Sequence, residues 1–200
     1  MKKLIAQGAE AKLYQDNKEI IKHRLKKSYR IPEIDLPIRK FRTKREAKVL
    51  SKLQAIDFPS PKLISSDSKE TIVIEKIPGK LVKDQLNNKN STKLSKEIGK
   101  LIATLHNQDI IHGDLTTSNM IYSKDKIFLI DFGLSFFSHK IEDKAVDLHL
   151  LQEGLEAKHS TIFEKCFKYI LTEYQKSANS AADTIQRLKQ VEKRGRYKNK

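Results

Sequence analysis

The stretch His112-Gly113-Asp114-Leu115-Thr116-Thr117-Ser118-Asn119, followed after a short hairpin by Asp131-Phe132-Gly133, decides how the other residues of this 200-residue chain are read. An Asp at the tip of a loop can accept or orient a hydroxyl proton, and an Asn a little further on can ligate a metal. A second Asp on the neighbouring strand can hold magnesium against ATP phosphates. Upstream of this stretch, Leu94, Ile98, Leu101, Ile102 and Leu105 repeat at helical spacing. Short strands are expected around Met120 to Tyr122 and Ile127 to Ile130, and the remainder reads as helical to about Leu188. At the other end, Leu4 to Ala6, Ala11 to Tyr14 and Glu19 to Lys22 read as three strands of a meander. Pro32 and Pro37 interrupt any helix between Arg30 and Arg39, so a helix is expected from Phe41 to Leu53 with Val49, Leu50 and Leu53 on one face. Strand returns at Thr71 to Lys76, and Pro78-Gly79 breaks the chain. A β-rich first third and an α-rich remainder make an α+β protein of two lobes with a hinge.

Charge is the extreme feature of the composition, at a formal net +15. Residues 22 to 48 hold 11 Lys/Arg against 3 Asp/Glu, and residues 187 to 200 hold 7 against 1. Clustering of this kind suits a polyanion-binding surface, since phosphate neutralisation supplies most non-specific affinity; a solvated, Lys-rich face would look the same. The longest apolar runs fall far short of the roughly 18 residues a membrane span needs. The Met1 to Gly8 segment turns polar at once, which points to the cytoplasm. The single cysteine, Cys166, agrees with a reducing compartment and reads as core packing.

The His112 to Asn119 loop with Asp131-Phe132-Gly133 resembles the protein-kinase-like superfamily. Seven matched positions would coincide by chance on the order of once in a billion placements. The resemblance implies a minimal bilobal protein-kinase-like fold, with an N-lobe at 1–77, a reduced helical C-lobe at 78–186 and a basic tail at 187–200. Such a site needs a strand lysine for ATP phosphates and a helix glutamate to hold it. Lys22 ends its strand in the manner of the kinase Val-Ala-Ile-Lys, with Lys12, Lys26 and Lys27 as competitors. Glu46 precedes Val49, Leu50 and Leu53 at helical spacings, which puts its carboxylate on the inward face. By resemblance, Gly8-Ala9-Glu10-Ala11 covers the phosphates, although it has one glycine where the kinase pattern has three. The backbone of Glu75 and Ile77 would bond adenine with Ile74 as gatekeeper, Asp147 would brace the catalytic loop, and Asn119 and Asp131 would bind Mg2+.

Departures narrow the family. Gly113 replaces the arginine that receives an activation-loop phosphate, no Ala-Pro-Glu follows Gly133, and Thr116 stands where a phosphate-contacting lysine is common. The 67 residues after Gly133 are too few for the usual peptide-docking half of a large lobe. Together with Ser28-Tyr29-Arg30-Ile31-Pro32, Asp35, Arg39, Arg42-Thr43, Glu46-Ala47, Glu142 to Asp147 and Arg194-Gly195-Arg196, these residues closely resemble one family along the whole chain: the small atypical kinase and ATPase subunit of the KEOPS complex, in its archaeal size. The resemblance implies ATP and Mg2+ as cofactors, Asp114, Lys22 and Glu46 as catalytic residues, and docking on the threonylcarbamoyl-transferase subunit beside the other KEOPS subunits. It also implies that tRNA is met through the basic surface and tail, with no membrane involved. Two other classes compete. Small-molecule kinases of the aminoglycoside or choline type share a His-Gly-Asp loop, but they add a substrate lobe for which this chain has no room. A non-catalytic scaffold would carry a lesion among Lys22, Asp114, Asn119 or Asp131, and none is present.

Overall fold

The computed structural model describes residues 2–8 and 10–196, so Ala9 and the segment Tyr197 to Lys200 singled out above lie outside the described residues. The chain forms two compact units, Met1–Pro78 with Phe128–Leu134 and Gly79–Ile127 with Ser135–Lys200. The first break falls at Pro78-Gly79, where a proline precedes a glycine at φ 154; a side chain on Gly79 would meet the Tyr122 carbonyl at 2.4 Å.

The first unit opens with β1 (Lys3–Gln7), β2 (Ala11–Asp16) and β3 (Glu19–Arg24), runs through α1 (Pro32–Ala55), and closes a five-stranded sheet with β4 (Leu63–Ser66) and β5 (Thr71–Glu75). Strand order is β1-β2-β3-β5-β4, with neighbours antiparallel. Because β5 pairs with β3 as far as His23 opposite Thr71, β3 runs on to Arg24, and Lys22 lies inside the strand rather than at its end.

Helix α1 begins at Pro32, well before the expected Phe41. Pro32 sits in the first turn, where its missing N–H costs nothing, while Pro37 forfeits one helical bond. Asp35, 1% exposed, offsets that loss by accepting from the Lys27 amide at 3.2 Å and from Arg39 Nε at 2.7 Å, and Arg39 also pairs with Glu70. Burial works against the Asp35 carboxylate, but the bonds from Arg39 and Lys27 outweigh it and hold its pKa below the usual range. Further along, Val49, Leu50 and Leu53 are buried as their spacing requires.

Residues 128–134 join this unit rather than the helical half expected to hold them. Leu129 N–H donates to the Pro59 carbonyl at 3.0 Å, the turn Phe132–Leu134 packs on α1 with Phe132 buried, and Arg45 donates to the Leu134 carbonyl.

The second unit contains β6 (Lys80–Leu81), α2 (Val82–Gln85), α3 (Ser91–Asn107), β7 (Ile110–Ile111), β8 (Met120–Ser123), the start of β9 (Lys126–Leu129), β10 (Phe136–Phe137), α4 (Ile141–Lys158), α5 (Phe163–Ser177) and α6 (Ala181–Arg196). Leu94, Ile98, Ile102 and Leu105 line the buried face of α3, which packs on α5, where Cys166 is a buried free thiol. Helix α6 continues past Leu188 to Arg196, since Leu188 and Val191 are buried, α6 packs on α4, and Arg187 and Arg194 both pair with Glu142. Among the described residues no helix is long and apolar enough to cross a membrane.

At Gly99 helix α3 lies close against α5, and a Cβ there would lie 2.4 Å from the Ile170 carbonyl. Gly99→Ala is expected to destabilise the fold by about 1–3 kcal/mol despite alanine's better helix propensity, because backbone must move to admit the methyl. Chemical denaturation of the variant beside the native chain checks this.

Candidate active site

Strand geometry decides which lysine meets Glu46. Lys22 pairs across the sheet with Leu13 while Lys12 pairs with His23, so period-two alternation puts Lys12 on the opposite face from Lys22. Lys26 and Lys27 fall beyond the end of β3. Lys22 Nζ donates to Glu46 Oε1 at 2.8 Å and to Asp131 Oδ1 at 2.6 Å. Burial disfavours the ammonium, yet the Glu46 and Asp131 carboxylates prevail and raise its pKa above the usual lysine value, so Lys22 is charged at neutral pH. A second cation, not anticipated from the sequence, shares the glutamate: Arg24 Nη2 donates to Glu46 Oε2 at 2.5 Å. Its signal was the same period of two, which sets Arg24 beside Lys22 on one face. Asp131 is at φ 61, a left-handed conformation available to Asp at small cost, and its carboxylate is half exposed.

In the segment expected to cover phosphates, Gly8 N–H donates to the Ala11 carbonyl at 2.9 Å. Glu10 is held on α1 by Arg42 at 2.7 Å, with Arg30 at 3.6 Å. Glu75 ends β5 and commits its N–H to the Lys62 carbonyl, which leaves its carbonyl as the group that could face adenine. Ile74 and Ile77 are half-buried.

Within the second unit the catalytic-loop residues are drawn together by Asp147. This fully buried carboxylate accepts from the His112 and Gly113 amides at 2.8 Å each and lies 3.2 Å from His106 Nε2. His106 Nδ1 meets the Tyr174 hydroxyl at 2.8 Å; burial pushes the Tyr174 pKa up to about 12, so the phenol remains a donor. Neither His106 nor Tyr174 was legible as part of the brace, because nothing in the local pattern ties them to residue 147. Asn119 Nδ2 donates to the Asp114 carbonyl at 2.9 Å and to Asp114 Oδ2 at 2.8 Å, which orients the amide and leaves its Oδ1 as the oxygen for a cation.

The loop is tied down again where Thr117 Oγ1 meets His159 Nε2 at 3.0 Å, with both side chains buried. Burial, reinforced by Lys158, holds the His159 pKa below the ordinary histidine value. The folded chain therefore resists the proton that the unfolded chain accepts near pH 6.5, so this contribution is complete above about pH 6.5 and declines as pH falls below it. The melting temperature is expected to drop between pH 7 and pH 5.5, and less steeply in His159→Gln; calorimetry across that interval is the check.

Residues 10–148 match the RIO domain family. That is well over half of the chain. The chain belongs to the RIO domain family. One curated relative, the EKC/KEOPS complex subunit BUD32 of Enterocytozoon bieneusi, is 45% identical over 96% of this chain and 98% of its own length. A second, the probable bifunctional tRNA threonylcarbamoyladenosine biosynthesis protein of Methanobrevibacter smithii, is 41% identical over 97% of this chain, which spans 36% of that longer protein. Among solved structures, the Rio2 kinase-ADP/Mg2+-phosphoaspartate complex of Chaetomium thermophilum aligns with a TM-score of 0.63 at 14% identity, covering 97% of this chain and 70% of that one. The last likeness carries the fold: the α+β, minimal kinase-like architecture is that of a RIO domain.

This RIO domain spends much of its first basic cluster internally. Lys22 and Arg24 are buried on Glu46, Arg39 pairs with Asp35 and Glu70, and Arg30 and Arg42 pair with Glu10. The charge excess of residues 22 to 48 thus builds the site as well as the surface.

Proposed function

We propose that this chain is an ATP- and magnesium-dependent atypical serine/threonine kinase and ATPase that serves, as a KEOPS subunit, the threonylcarbamoyl modification of the tRNA adenosine next to the anticodon. The observation that carries the catalytic part is the three-way contact of Lys22 with Glu46 and Asp131, a phosphate-binding cation held between a helix carboxylate and a metal-binding one. The relatives named as KEOPS subunit and as threonylcarbamoyladenosine biosynthesis protein support the cellular part.

ATP is the substrate. Lys22 Nζ donates to its phosphate oxygens, the Gly8 to Ala11 segment covers them, and the Glu75 carbonyl and Ile77 amide bond the adenine. Asp131 and the Oδ1 of Asn119 are hard oxygen donors of the kind Mg2+ takes, so these residues would hold it. When bound, the ion neutralises phosphate charge that develops during transfer. Asp114 holds the acceptor, a protein hydroxyl or water, through Oδ1, since Oδ2 is engaged by Asn119, and takes its proton as the new bond to the γ-phosphorus forms and the bond from that phosphorus to the bridging oxygen breaks, releasing ADP. Asp147 keeps the loop in place meanwhile. Activity does not wait on activation-loop phosphorylation, because Gly113 provides no cation to receive the phosphate.

The partner is the threonylcarbamoyl-transferase subunit, a reading favoured by the bifunctional relative that this chain spans in part. tRNA is met by the basic residues outside the internal ion pairs and by the tail, in the cytoplasm. The test is reconstitution with the transferase partner and tRNA. Modified adenosine is expected to form only when the native chain and Mg-ATP are both present. Full modification without the chain, or with a nonhydrolysable ATP analogue, overturns the proposal.

A further inference from the structure

We propose that Arg24 is a positioning residue for phosphoryl transfer: it keeps Glu46 and helix α1 in place when Lys22 turns from its carboxylates to the nucleotide. The inference rests on the phosphotransferase reading above, but it is drawn from contacts within the first unit.

Glu46 is 2% exposed, and its two oxygens go to two different cations, Oε1 to Lys22 and Oε2 to Arg24. In the general kinase arrangement the strand lysine is the one cation that pairs with this helix carboxylate. A lysine that serves both helix and nucleotide has divided obligations, and a buried carboxylate stripped of its partner is strongly destabilising. Arg24 removes that conflict. Its guanidinium is 4% exposed, always charged, and fixed by the same strand that carries Lys22. With Arg24 neutralising Glu46, the ammonium of Lys22 keeps its full positive charge for the triphosphate.

The arginine also reaches the metal-binding segment. A Cβ built on Gly133 would lie 3.1 Å from both Asp131 Oδ1 and Lys22 Nζ and 3.6 Å from Arg24 Nη2. The Asp131 to Gly133 turn therefore rests against both cations, and glycine is the residue that lets it. Strand, helix and turn are joined at one point by two positive and two negative side chains: Lys22, Arg24, Glu46 and Asp131.

The decisive experiment compares Arg24→Gln, Arg24→Lys, Glu46→Gln and the Arg24→Gln/Glu46→Gln pair in the full-length chain, reading ATP turnover, melting temperature and α1 amide exchange. Arg24→Gln is expected to cut kcat/KM for ATP about tenfold or more, as loss of positioning does, with Arg24→Lys recovering most of it. In the Glu46→Gln background the same change is expected to cost little further, because the two residues act as one unit. Exchange supplies an arm that needs no catalysis and no Arg24 variant to fold: in Lys22→Met, amides 43–50 are expected to stay protected, since Arg24 still holds the helix. Loss of that protection in Lys22→Met, unchanged kinetics in Arg24→Gln, or a full additive loss in the double variant each overturns the inference. Failure of the native chain to turn over ATP instead overturns the phosphotransferase reading, and the exchange arm still decides the clamp.

Discussion

Asp131→Ala is expected to abolish ATP turnover, with a loss of about a thousandfold or more, because it removes the carboxylate proposed to hold Mg2+ against the transferring phosphate. The same carboxylate holds Lys22 at 2.6 Å, so the substitution also frees the ammonium from one of its two anions. Lys22 retains Glu46 at 2.8 Å, and the Asp131 side chain is half exposed, so the fold is expected to stay intact. The contrast is diagnostic: a large kinetic loss with a melting temperature near that of the native chain. Steady-state phosphate release at saturating Mg2+ measures the first, and calorimetry the second. Turnover within tenfold of native refutes the metal-binding assignment.

Asp114→Ala is the second large effect, and its character differs. A general base acts on the acceptor side, so kcat is expected to fall about 100- to 10,000-fold while affinity for Mg-ATP stays within about threefold of native. Asn119 should remain oriented, because its Nδ2 also bonds the Asp114 main-chain carbonyl, which alanine retains. Equilibrium binding of a nonhydrolysable ATP analogue beside single-turnover kinetics separates the two quantities. If binding collapses together with turnover, Asp114 organises the nucleotide site rather than the acceptor.

Sequence reading and structure part company at specific residues, each for a physical reason. Pro32 and Pro37 read as helix breakers because local propensity is all a sequence window contains; the Asp35–Arg39 pair that braces this stretch is completed by the Lys27 amide and by Glu70, which lie outside that window. The run of positive charge from 22 to 48 reads as a surface, since charge is countable but its partners are not. Glu10 and Glu70, which take up three of those arginines, lie outside the run. Asp131-Phe132-Gly133 reads as part of the helical half because it follows the catalytic loop in the chain. The burial of Phe132 against α1 is a long-range contact that order along the chain does not encode.

By itself the sequence determined the main helices and strands and proposed the chemistry of the site. Helical period gave the buried faces of α1 and α3, and residue types at fixed spacing singled out Asp114, Asn119 and Asp131 as candidate proton and metal groups. Only the tertiary structure decided which charges meet. Lys22 is selected over Lys12 by strand register, Glu46 is shared with Arg24, and Asp147 gathers the catalytic-loop amides with His106 and Tyr174 behind it. The reason is the range of the forces. Backbone propensity and side-chain period act over a few residues and leave their mark in the local pattern, whereas a buried ion pair joins residues as far apart as Lys22 and Asp131 and exists only once the chain has brought them together.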